Sequence, residues 1–179
     1  MANEHLTALK SMALCRSLSA AELDAIAAIV RTRAVDAGQE LFHEGDAGDG
    51  LYLVVDGEIN VIKHGTDGEH LLAKLGQGAV LGEMSLVTSD ARSATARVLA
   101  RTTVLHLPVR EFRALLDAGS TAALRIAAAI AEVLARRVAA MNGLVLGLTG
   151  KPGSAAGTGA SMNTQDLKAL HRTMQVWSI

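Results

Sequence analysis

The 179 residues are enough for one domain with some chain left over; half are apolar, but aromatics are only 2 %, so a core must be built from Leu, Val, Ile and Ala. A formal net charge of −1 excludes a global field that would gather nucleic acid, though not a local basic patch. Cys15 stands alone, which excludes an intrachain disulfide; with no apolar leader and no uncharged apolar run of about 18 residues, a cytoplasmic chain without a membrane span is expected.

Residues 1–33 are helical in pattern. Ser19 followed by Glu22 has the spacing of a capping box, and Leu23, Ile26, Ala27, Ile29 and Val30 then recur at helical intervals. Residues 34–107 change period. The runs ELFH, LYLVV, EINVIKH, HLLAKL, SATARVL and TTVLHL alternate with AGQ, GDAGDG, DG, TDG and GQG, the pattern of short strands joined by glycine turns in a barrel or sandwich. Residues 108–148 return to helix: a short one from Arg110 to Asp117, broken near Gly119, then a long one from Ser120 or Thr121. On it Leu124, Ala127, Ala131, Leu134, Val138, Met141, Val145 and Leu148 step by three and four, a heptad seam, with Ile126, Ile130 and Val133 as a second stripe. One stripe can cover the strands while the other meets a partner helix, which gives a parallel homodimer; the alternative is one broad buried face in a monomer. Residues 149–179 begin with the linker GKPGSAAGTGAS and end in a short amphipathic piece, Leu167, Leu170, Met174 and Trp177.

The chemistry concentrates in residues 81–96, LGEMSLVTSDARSATA. A glycine, Gly82, opens a single helical turn between two strands, with Glu83 at its start and Arg92 nine residues on at the entry of the next strand. The first amides of a helical turn lack partners within it and favour an anion. Gly82 lets a ligand approach the backbone, Ser85 leaves its amide accessible, Arg92 offers a fork for two phosphate oxygens, and Ser93 adds a hydroxyl. A carboxylate is out of place in a pure phosphate site. Glu83 makes sense if it accepts a hydrogen bond from a sugar hydroxyl while Arg92 neutralises the phosphate, so the pair describes a ribose phosphate. The plain structural alternative is a Glu83–Arg92 salt bridge tying the turn to the strand.

This window resembles the phosphate-binding cassette of the cyclic-nucleotide-binding domain family, found in protein kinase A regulatory subunits, catabolite activator protein and cyclic-nucleotide-gated channels. Gly82, Glu83, Ser85, Leu86, Arg92, Ser93 and Ala94 match its pattern, and Leu81 stands where Phe is usual. The resemblance extends over residues 9–142, through FHEGDAGDGLYLVVDGEINVIK, LPVREFRALL and LARRVAAMN. It implies an α+β fold: an antiparallel β-barrel (jelly roll, or double-stranded β-helix) flanked by N-terminal helices and a long C-terminal helix. It also implies a cyclic nucleotide, cAMP or cGMP, held by Gly82, Glu83, Met84, Ser85, Arg92 and Ser93, with base-facing residues on the long helix between Arg137 and Asn142.

Other chemistries find little support. His43, His64, His70 and His106 are scattered without metal-ligand spacing, Cys15 has no activating neighbour, and GKPGSAAGTG lacks the P-loop pattern, so no metal and no enzymatic activity are expected. Arg136 and Arg137 read by default as a solvated helix face. The residues after the long helix are too few, and too poor in Arg and Lys, for a helix-turn-helix. The expected output is therefore a contact with a further protein, not sequence-specific DNA binding.

Overall fold

In the computed structural model, residues 2–88 and 90–149 are described. Helix α1 (Ala2–Ser11), a 3-10 turn (Ala13–Cys15) and helix α2 (Ala20–Ala27) come first. The capping box at α2 is present: the Ser19 amide donates to Glu22 Oε2 at 2.7 Å, and the Glu22 amide to Ser19 Oγ at 3.4 Å. Cys15 is buried, and burial pushes its thiol up to about 12, which removes it as a nucleophile at neutral pH. The helical zone ends before residue 33, because strand β1 is already Arg31–Val35. The apolar Ile29 and Val30 continue the helical spacing beyond α2, which is why the boundary cannot be read from period alone.

The remaining strands are β2 (Glu40–Phe42), β3 (Gly50–Gly65), β4 (Gly68–Leu75), β5 (Val80–Leu81) and β6 (Thr95–Pro108). LYLVV and EINVIKH, separate in the sequence reading, lie on one strand, and so do SATARVL and TTVLHL. The Asp56–Gly57 step is a bulge, not a hairpin turn. Gly57 has φ +101°, and a Cβ there would collide with Thr102 on the paired strand. The β3–β6 register shifts between Val54 and Asp56, between Asp56 and Glu58, and between Glu58 and Ile59, which bends both long strands together.

Strands β3 and β6 form the spine of a six-stranded antiparallel sheet in the order β1-β6-β3-β4, with β2 also on β6 and β5 also on β3. The expected barrel is not closed by hydrogen bonds. Among the described residues the ladder ends on β1 and β2 at one side and on β4 and β5 at the other. The flanking strands are short and split, so side-chain packing draws the two sides together: Val35, Leu41, Val54, Ile59, Leu75 and Val104 share one buried interior.

Alternation along the spine makes two cores. Tyr52 and Val54 face the interior, whereas Leu51, Leu53, Leu105 and Leu107 face outward against the helices. Helix α4 (Val109–Asp117) contributes Phe112 to that second core, and helix α5 (Thr121–Thr149) contributes Ala123, Ile126 and Ile130. Gly119, at φ +72°, turns the chain between α4 and α5. No single helix among the described residues is long and apolar enough to cross a membrane; α4 and the first part of α5 reach that length only together, across a bend of 117°.

The seam read from the sequence is out of phase with the helix. Ile126, Ile130 and Val133 are buried as the second stripe requires, but Ala127 and Leu134 pack against the core beside them. Leu124 and Val138 face outward at 54 % and 56 % exposure, and the residues between them on that outer face are Ala128, Ala131 and Ala135. The side chains of Met141, Val145 and Leu148, the linker and the Leu167–Trp177 piece lie outside the described residues.

Candidate functional site

Helix α3 (Met84–Val87) is the single turn expected between β5 and β6. Gly82 leads into it at φ +69°, in the left-handed region. A Cβ at this position would strike Arg92 Nη1, so only glycine lets the guanidinium lie over the backbone here. Arg92 follows from the opposite side of the turn. It is 4 % exposed and donates from Nη2 to Asp49 Oδ1 at 2.5 Å and to the Gly50 carbonyl at 2.8 Å, and from Nη1 to the Gly82 carbonyl at 3.3 Å. The Phe42 ring lies 4.2 Å from the guanidinium carbon and Tyr52 5.5 Å, a cation–π cradle that fixes the plane of the fork.

Gly82, Glu83, Met84, Arg92 and Ser93 line one hollow of about 500 Å³, counted to its open mouth. Phe42, Val61, Leu75, Leu81 and Ala94 make its apolar walls. Its lining has the composition of a small-molecule site: apolar walls with a few convergent polar groups. Ser93 and Met84 are exposed at the mouth. The Ser93 carbonyl accepts from Lys63 Nζ at 2.9 Å, while Glu44 meets the lysine's charge at 2.5 Å. The Ser85 side chain lies outside the described residues.

Glu83 and Arg92 do not pair with each other, so the simple salt-bridge alternative is overturned. Glu83, 5 % exposed, accepts from Arg137 Nη1 on α5. Arg137 is thus not a solvated residue; it is 7 % exposed and paired with the cassette carboxylate. Arg136 does lie on the surface, paired with Glu132. Asn142, expected beside the base, is exposed and is not among the residues lining the hollow.

Sequence reasoning missed Asp49, Tyr52, His106 and Phe42. Asp49 Oδ2 accepts from the Tyr52 hydroxyl at 2.8 Å and faces His106 Nε2 at 3.5 Å. Burial pushes the Asp49 carboxyl up, but Tyr52, His106 and Arg92 together outweigh it and hold the group below the usual carboxylate range. Burial and the Asp49 charge raise the Tyr52 phenol to about 12, so it stays a donor. Among the described residues no cluster of His, Cys, Asp or Glu is placed to hold a metal ion.

The cyclic nucleotide-binding domain family matches residues 32–118. The chain is 33 % identical over 127 residues to the cyclic AMP receptor protein of Thermus thermophilus, covering 70 % of this chain and 59 % of the receptor. The crystal structure of the N-terminal domain of a transcriptional regulator from Streptomyces coelicolor is similar at a TM-score of 0.65 and 30 % identity, covering 75 % of this chain and 94 % of that one. A cyclic nucleotide-binding domain from Methylobacillus flagellatus is similar at a TM-score of 0.69 and 26 % identity, covering 87 % and 86 %. The Aspergillus terreus lysophospholipase matches at 35 % identity over 82 residues, 45 % of this chain, and the chain spans only 5 % of its length. Cassette, fold and these likenesses agree: the chain is a member of the cyclic-nucleotide-binding domain family.

Proposed function

We propose that this chain is a regulatory module that binds cAMP or cGMP and has no catalytic chemistry of its own. The observation that carries the reading is Arg92: a buried guanidinium oriented over Gly82 in an apolar hollow that also presents Glu83. Such a group suits an anion attached to an apolar, ring-bearing body. Arg92 takes the phosphate with Gly82, Met84, Ser85 and Ser93 around it, and Glu83 accepts from the ribose 2′-hydroxyl. The Glu83–Arg137 pair supports a route for output, because ligand contacts at Glu83 bear directly on α5. A ligand shifts α5 only by the difference in its contacts between two states, and a further protein would read that shift.

Titration calorimetry with cAMP and cGMP, paired with thermal melting, tests this reading. Saturating ligand at about a hundred times its Kd should contribute about 2.7 kcal/mol to native stability, raising Tm by roughly 5–10 °C. Absence of heat and of any Tm shift with both nucleotides sinks the reading in favour of a ligand-free interaction module of the same fold.

The outer face of α5 is the proposed seam of a parallel homodimer: Leu124, Ala128, Ala131, Ala135 and Val138 are exposed there at steps of four and three. Leu124→Glu with Val138→Glu should give a monomer by light scattering at concentrations where the unaltered protein is a dimer. Leu134→Ala should instead lower Tm, since Leu134 packs on the core. A monomeric unaltered protein, with and without ligand, defeats the seam.

A further inference from the structure

We propose that His106 is a positioning residue that sets the anion affinity of the hollow through Asp49, so that cyclic nucleotide binds more tightly when the imidazole is protonated. The inference rests on the binding reading above.

His106 lies on β6, 8 % exposed, stacked on Tyr52 with ring centroids 4.6 Å apart and planes 16° from parallel. Its Nε2 is buried and makes no hydrogen bond among the described residues; it faces Asp49 Oδ2 from 3.5 Å. The backbone is pressed against the same nitrogen, since a Cβ on Gly50 would come within 2.6 Å of it. Asp49 is therefore divided. One oxygen takes the Arg92 guanidinium, and the other faces the Tyr52 hydroxyl and the imidazole. The remaining charges near the ring come from β1: Arg33, which donates to the Tyr52 hydroxyl at 3.1 Å, and Arg31, whose charge is met by Glu111 of α4.

The sign follows from these charges. With His106 neutral, the Asp49 carboxylate offsets the Arg92 charge at the seat a phosphate would take, and ligand and carboxylate compete for one fork. A proton on His106 offsets Asp49 in turn and leaves the seat with a net positive charge. Burial pushes the imidazole below its ordinary value and the Asp49 carboxylate only partly restores it, so the ring is neutral at pH 7. Affinity should rise as pH falls through that lowered value. By linkage, bound nucleotide must raise the His106 pKa by the same coupling.

The test is calorimetry of the full chain with cAMP or cGMP, whichever binds, from pH 8 to pH 5, in the unaltered protein and in His106→Gln. The unaltered protein should gain roughly fivefold or more in affinity across this range, within the span usual for coupled sites. His106→Gln should stay near the high-pH value. Superimposable profiles, or affinity that falls toward acid in the unaltered protein, overturn the proposal. Should His106→Gln fail to fold, an NMR titration of the His106 ring in the unaltered protein decides: a pKa raised by nucleotide supports the coupling, and an unmoved one refutes it. No binding at any pH refutes the binding reading itself, an outcome distinct from binding that ignores pH.

Discussion

Arg92→Ala should weaken cyclic-nucleotide binding about a hundredfold or more, the equivalent of about 3 kcal/mol for a charge-assisted forked contact in a partly desolvated site. The surroundings sharpen this expectation. Removal of the guanidinium takes away the charge that faces the hollow and also leaves Asp49 without the partner that offsets it. A ligand phosphate then meets a carboxylate instead of a cation. Arg92→Lys restores charge but not the fork, and cannot donate in parallel to Asp49, Gly50 and Gly82 as arginine does; its affinity should fall between the two. Titration calorimetry of the three proteins, with Tm measured without ligand, separates binding from folding. Equal affinities in Arg92→Ala and the unaltered protein would remove Arg92 from the site altogether.

The sequence announces the cassette because its geometry is local. Gly82, Glu83 and Arg92 lie within one turn and its flanks, so their spacing along the chain is their spacing in the site. What surrounds them is tertiary. Asp49 is 43 residues from Arg92 in the chain and sits in a glycine-rich stretch that reads only as a turn. Arg137 is 54 residues from Glu83, on a helix where its neighbour Arg136 is solvated, and no spacing rule tells the two arginines apart. The phase of α5 escaped for a related reason. Leu, Ala and Val occupy both faces of that helix, and only docking of Ile126, Ile130 and Val133 onto the strands decides which stripe turns out to solvent. The Asp56–Gly57 pair has the composition of a hairpin turn. Its role as a bulge depends on Thr102, which sits opposite it on β6. The open ladder depends likewise on which short strand reaches which half of the spine.

The second large effect is expected at the buried contact between Glu83 and Arg137. The side chains of Glu83 and Arg137 are 7 % and 8 % exposed, so either substitution alone takes the facing counter-charge from a group held away from water. Breaking a buried pair from one side costs about 3–5 kcal/mol, and for a chain of this size each kcal/mol moves Tm by roughly 2–4 °C. Glu83→Ala and Arg137→Ala should each lower the ligand-free Tm by roughly 6–20 °C. Glu83→Ala combined with Arg137→Ala removes both charges and should cost much less than the two single losses added together, so the cycle should be strongly non-additive. The pair also ties the cassette to α5, which gives a second readout. Arg137→Met keeps Arg92 and should still bind nucleotide, yet the change in hydrogen-exchange protection along α5 expected on ligand binding to the unaltered protein should be lost. Two single losses that simply add in the double variant would show that the contact contributes no coupling. An unchanged exchange response in Arg137→Met would show that the ligand's effect on α5 travels by another path.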